Sequence, residues 1–213
     1  MLMRPRRRLL PGTWRRVAWV VAPACLAVAA GLGVLYSGRD GPGALDRIAD
    51  AALRTGSPDW RGPLWAVVDL GDPLFVAAAL GLVAAVAVAG ARWEALPLIV
   101  VAPVLTAGLT GFVLQPGIGR LRGGGWAYPS GHTATIASLA AVLLVLLAGA
   151  RWPASSGVRL ALAGAGFVVT AAVAGALVAL ELHYVTDTLG AACLAVGVAL
   201  VVALASDALA VPE

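Results

Sequence analysis

The feature that most restricts this chain is a succession of long apolar runs separated by short polar segments rich in glycine and proline. A helix needs about 20 apolar residues to cross ~30 Å of hydrocarbon at ~1.5 Å per residue. Val17–Tyr36 meets that length, and so do part of Leu64–Ala91, Ala95–Leu114, His132–Ala150, Leu160–Leu180 and Thr188–Leu209. Charged residues are 12% of the chain, against roughly a quarter in a soluble domain. The fold class is therefore all-α, a polytopic membrane protein built as a six-helix transmembrane bundle. The 26 glycines suit close helix approach in lipid.

Charge and aromatic placement give orientation. Arg4, Arg6, Arg7, Arg8, Arg15 and Arg16 crowd the start without an acidic residue among them. Before an apolar run, such a cluster reads as a cytoplasmic anchor, and nucleic acid is not an expected partner. We divide the chain into a basic segment (1–16), a membrane domain (17–209) and a short tail (210–213). Six spans return the C-terminus to the cytoplasmic side, where Arg92, Arg151 and Arg159 occupy the short loops. Trp14, Trp19, Trp60, Trp65, Trp93, Trp126 and Trp152 fall at span ends, as interfacial indoles do. Cys25 and Cys193 lie in apolar runs and read as packing residues.

Between the first two spans, Ala44–Arg54 sets Leu45, Ile48, Ala52 and Leu53 at helical spacing, with Asp46, Arg47, Asp50 and Arg54 elsewhere. This predicts a short amphipathic helix on the outer interface. Asp72-Pro73 marks a helix start or a kink in the second span, and Gln115–Ser130 reads as a glycine-rich loop.

The topology gathers the polar chemistry at one membrane face. The chain has 2 histidines, His132 and His183, and both fall at outer helix ends. His132 closes Pro129-Ser130-Gly131-His132 at a helix start, where free amides and the dipole favour an anion. Ser130 serves there as N-cap or as a hydroxyl donor to phosphate. His183 and Asp187 are four residues apart and share a helix face, so the carboxylate can orient the imidazole as a nucleophile. Arg122 supplies a planar fork suited to phosphate oxygens. His132, His183 and Asp187 as three metal ligands is the rival reading, although neither motif has the ligand set of a closed site.

These residues resemble the type 2 phosphatidic acid phosphatase superfamily of membrane lipid phosphate phosphatases. Its second motif is present as Pro129-Ser130-Gly131-His132, and the end of its third as His183 and Asp187. The first motif, a lysine followed after six residues by Arg-Pro, reads here Gln115 and Arg122-Gly123. The Ser-Arg of the third falls on Ala176-Leu177. The resemblance implies that His183 attacks phosphorus and forms a phosphohistidine, that Asp187 holds its ring, and that His132 protonates the leaving alkoxide. It implies phosphate binding by Arg122, Ser130 and Gly131, with Gln115 in the lysine position and Arg120 within reach of the same pocket. No metal or other cofactor is implied. The implied partner is a phosphorylated lipid in the bilayer: a polyprenyl (di)phosphate, phosphatidic acid or phosphatidylglycerol phosphate, bound at the extracytoplasmic face. The alternative is a weak or inactive member that binds or transports such a lipid.

Overall fold

The computed structural model describes residues 8–54, 58–149 and 155–210. Arg4, Arg6 and Arg7, the end of the fourth run at Ala150 with Arg151 and Trp152, and tail residues 211–213 lie outside the described residues.

Helix α1 (Gly12–Leu35) starts five residues before the apolar run, so the proposed boundary at residue 16 falls inside it. The expected amphipathic helix is α2 (Ala44–Leu53), within one residue of the expected bounds. The second run is broken. Helix α3 (Arg61–Val68) leads through a 3-10 turn (Asp69–Gly71) into α4 (Pro73–Ala89), with a bend of 48°. Pro73 occupies the first turn of α4, where its missing N–H costs nothing, and the Asp72 carboxylate accepts from the Leu74 amide. Asp72-Pro73 is thus both helix start and kink.

The third run is α5 (Leu96–Gly108), which continues through a π-helical stretch (Leu109–Leu114) into α6 (Gln115–Ile118). The expected loop from Gln115 therefore begins as helix. It then forms a two-stranded hairpin, β1 (Leu121–Arg122) and β2 (Gly125–Trp126), in register Leu121 with Trp126. Gly123 and Gly124, at φ of 58° and 82°, make the turn; positive φ at both central residues is what a tight type I′ hairpin requires. Helices α7 (Gly131–Ala148), α8 (Ser156–Ala179) and α9 (Val185–Ala208) complete the bundle. Among the described residues, five helices can cross a membrane by length and composition, or six when the bent α3–α4 pair counts as one span.

Helix α9 is the central post, packed against α1, α7 and α5. Small residues make the contacts close: Ala191, Ala195, Ala199 and Ala203 are each fully buried. Cys25 and Cys193 are free thiols facing each other between α1 and α9. At one end of the bundle, the Asp207 carboxylate accepts from the Leu9 and Leu10 amides, tying the N-terminal segment to the last turn of α9. At the other end, Tyr128 wedges between α1 and α9, donating its hydroxyl to the Ala29 carbonyl. A Cβ on Gly190 would sit 2.5 Å from the Tyr128 ring, and Tyr128 is only 1% exposed. Gly190→Ala is therefore expected to destabilise the fold by about 1–3 kcal/mol, the usual cost of overpacking, read as a lower melting temperature in detergent.

Candidate active site

The end of the bundle opposite Asp207 collects the hairpin, α2, the Asp69–Gly71 turn and the starts of α7 and α9. The chain reaches it by backbone pairing: the Leu121 amide donates to the Arg39 carbonyl, and the Ser130 amide donates to the Asp187 carbonyl. This second bond ties the Pro-Ser-Gly-His turn to the first turn of α9. Gln115 braces the same turn through its Nε2, which donates to the Pro129 carbonyl at 3.2 Å. The residue in the lysine position is thus a loop support.

His183 lies just before α9, with its Nδ1 2.9 Å from the Ala127 carbonyl oxygen. A carbonyl only accepts, so Nδ1 carries the hydrogen and Nε2 keeps its lone pair. The expected direct bond to Asp187 is absent, since its Oδ2 stands 3.8 Å from Nδ1. The physical reason is that His183 precedes the helix, and Asp187 Oδ2 instead accepts from the Tyr184 amide at 2.8 Å. Asp187 supplies negative charge behind the ring, and the Ala127 carbonyl orients it. A backbone carbonyl carries no sequence signal, which is why motif reading misses it.

His132 occupies the first turn of α7. Ser130 is the N-cap, its Oγ accepting from the Thr133 amide at 3.4 Å, and its side chain is fully buried. Of the two roles considered for Ser130, the structure shows the capping one. The turn between the broken halves of the second span packs on His132, for a Cβ on Gly71 would lie 2.9 Å from the His132 carbonyl oxygen. Thr135 Oγ1 fixes that contact by donating to the Gly71 carbonyl at 2.6 Å. His183, Asp72 and Asp69 are all near enough to act electrostatically on His132. The two histidines therefore belong to one site, flanked by the two aspartates of the turn.

The arginines differ sharply. Arg120 is 0% exposed and bonds Asp187 Oδ1 at 2.5 Å, Asp46 Oδ2 at 2.6 Å and the Thr186 hydroxyl at 2.6 Å. Its guanidinium lies over the rings of Tyr36 and Tyr184, at 4.0 Å and 4.3 Å. With both carboxylates in place, Arg120 is not a phosphate ligand as expected; it is the counter-ion that holds Asp187. Asp46, missed as a site residue, completes this cluster by accepting from the Gly43 amide and from the Thr186 amide and hydroxyl. Burial opposes its ionisation, but these bonds and Arg120 outweigh it and hold its carboxyl below the usual aspartate range. A carboxyl depressed in the folded state adds stability above its unfolded value of 3.8 and loses it as pH falls through the lower folded value. Asp46→Asn is expected to make the melting temperature less sensitive to acid below that point.

Arg122 projects two residues further along the hairpin. Its Nη1 donates to the His183 carbonyl at 2.5 Å, and its fork faces the Asp50 carboxylate at 3.3 Å and 3.5 Å. The guanidinium lies over Tyr184 at 4.2 Å. Helix α2 thus turns Asp46 and Asp50 toward the site, while Leu45, Ile48 and Leu53 face outward, 60%, 69% and 40% exposed. Spacing of acidic residues four apart on α2, opposite Arg120 and Arg122, was the available signal. Leu177 adds no charge; it is 1% exposed and packed with Val68, Val76, Ile136 and Val173. Among the described residues, no three of His, Cys, Asp and Glu are grouped to hold a metal ion.

Residues 104–209, which contain Gln115, the hairpin and both histidines, match the model of the PAP2 superfamily. No curated protein sequence matches the chain. Among solved structures, the chain is similar to one described as the crystal structure of the first transmembrane PAP2 type phosphatidylglycerolphosphate phosphatase from Bacillus subtilis. The two share 19% identity with a TM-score of 0.67, over 87% of this chain and 93% of that one. At that identity the likeness speaks for the fold. The matched segment carries the site residues, the bundle agrees in fold, and the chain belongs to the PAP2 superfamily.

Proposed function

We propose that this protein is a lipid phosphatase that hydrolyses a phosphomonoester or diphosphate at the extracytoplasmic face through a phosphohistidine on His183. The observation that carries this reading is the His183 ring, with Nδ1 bound to the Ala127 carbonyl and Nε2 left as the nucleophile. In the forward half, Nε2 attacks phosphorus, the ester P–O bond breaks, and His132 protonates the departing oxygen. In the second half, His132 takes a proton from water, whose oxygen attacks phosphorus and breaks the P–N bond, releasing phosphate. Arg122 and the first-turn amides of Gly131 and His132 neutralise the nonbridging oxygens, the dominant demand in phosphoryl transfer. The Asp187 carboxylate behind His183 stabilises the positive charge that develops on the ring.

Sidedness rests on charge. The site lies at the end of the bundle away from Leu9 and Asp207, and the arginine-rich N-terminal sequence is read as cytoplasmic. Candidate substrates are a polyprenyl (di)phosphate, phosphatidic acid and phosphatidylglycerol phosphate.

A second reading, binding or transport without turnover, is favoured by the carboxylate on Arg122 and by the uncharged Leu177. Phosphate release from these lipids by purified protein in detergent separates the two. The phosphatase reading expects turnover of at least one lipid, at a rate unchanged by a metal chelator. Binding of a lipid phosphate with no release would favour the second reading.

A further inference from the structure

The Arg122 fork already holds an anion. Asp50 presents both carboxylate oxygens to it, yet at 3.3 Å and 3.5 Å the pairing is loose beside the 2.5 Å and 2.6 Å ion pairs of Arg120. The two acidic residues of α2 differ in the same sense. Asp46 is fully buried and has a full set of donors, so it anchors the helix. The Asp50 side chain is 24% exposed and takes no other hydrogen bond among the described residues. Arg54, one turn along α2, pairs with the Glu181 carboxylate and also lies within electrostatic reach of Asp50, so a second, shared cation stands near it. Asp50 therefore has somewhere to go when another anion takes the fork.

We propose that Asp50 is a specificity-determining residue, a resident carboxylate on Arg122 that a dianionic phosphate displaces and a monoanionic phosphodiester does not. The proposal rests on the phosphatase reading of the site, whose phosphate ligand is Arg122. Its physical basis is a charge count. Exchanging a carboxylate for a phosphodiester replaces one negative charge with another, and the displaced Asp50 stays close enough to repel the newcomer. A phosphomonoester or terminal diphosphate brings about one further charge and a third acceptor oxygen. Bilayers consist mainly of phosphodiester lipids, which would otherwise crowd an open arginine at the membrane surface. The outward apolar face of α2, Leu45, Ile48 and Leu53, suits a helix lying among those lipids.

The test uses full-length protein in detergent, with inorganic phosphate and dimethyl phosphate as probes. Their affinities are measured as inhibition of phosphatidic acid hydrolysis and, independently of turnover, by titration calorimetry. Wild type is expected to prefer inorganic phosphate strongly. In Asp50→Asn and Asp50→Ser, dimethyl phosphate should bind about tenfold more tightly, the scale of one hydrogen bond to a charged group, so the preference narrows. Asp50→Glu should keep it. Unchanged selectivity in both neutral variants would overturn the proposal. So would their failure to fold, because a displaceable carboxylate is not one on which the fold depends. Wild type that binds the anions selectively but hydrolyses no lipid would defeat the phosphatase reading and leave the Asp50 comparison decisive by calorimetry.

Discussion

His183→Ala is expected to lower phosphate release by about 10⁴-fold or more, because it removes the proposed nucleophile and not an accessory contact. The protein should still fold. His183 sits outside α9, and its ring makes one described hydrogen bond, to Ala127. The informative comparison is Asp187→Asn. In a serine-protease triad the equivalent change costs ~10⁴-fold by allowing the wrong tautomer. Here the tautomer is set by the Ala127 carbonyl, with Asp187 3.8 Å away, so the loss should be smaller, about 10²-fold. Steady-state assays on the two variants check the order. Equal losses would mean that Asp187, and not the Ala127 carbonyl, holds the ring.

Arg120→Met should have the largest effect on stability. It leaves the Asp46 and Asp187 carboxylates buried without their shared cation, and breaking such a cluster costs about 3–5 kcal/mol. For a chain of this size that lowers the melting temperature on the order of 10 °C. Activity should fall with it, since Asp187 loses its counter-ion and the Tyr36 and Tyr184 rings lose the plane between them. Arg120→Lys is not expected to rescue. A lysine has one point charge where the guanidinium spans two carboxylates, a hydroxyl and two aromatic faces. Thermal unfolding followed alongside activity separates this account from a direct phosphate contact, which would cost rate with little change in stability.

The parts of this molecule that were readable from sequence are those set by solvent. Long apolar runs in lipid have to be helices, so the spans were located to within a few residues. Counting them brought His132 and His183 to one face, which the packing of the Asp69–Gly71 turn on α7 and the tie between Ser130 and Asp187 makes concrete. The limits came from contacts that residue type does not encode. Arg120 and Arg122 are the same residue two positions apart, and either could have been the phosphate ligand. What separates them is the tight, buried pairing of Arg120 with Asp46, 74 positions away, and with Asp187, against the looser contact of Arg122 with Asp50. Apolar spacing located helix α2 to within one residue, but spacing does not tell which of its acidic residues is buried. Asp46 is 0% exposed and carries its side of the helix into the protein. The glycine-rich segment was legible as a break and not as a hairpin, because two-residue strands have no periodicity to detect.

In the proposed reaction, His183 Nε2 becomes covalently bonded to phosphorus. The most direct measurement is rapid acid-free quenching of the purified protein during turnover of a ³²P-labelled lipid phosphate, followed by mapping of any labelled residue. A base-stable, acid-labile label is expected on His183, present in wild type, absent in His183→Ala, and longer-lived in His132→Ala, where water activation is impaired. Turnover without any protein-bound phosphate, or label retained in His183→Ala, would contradict that reaction.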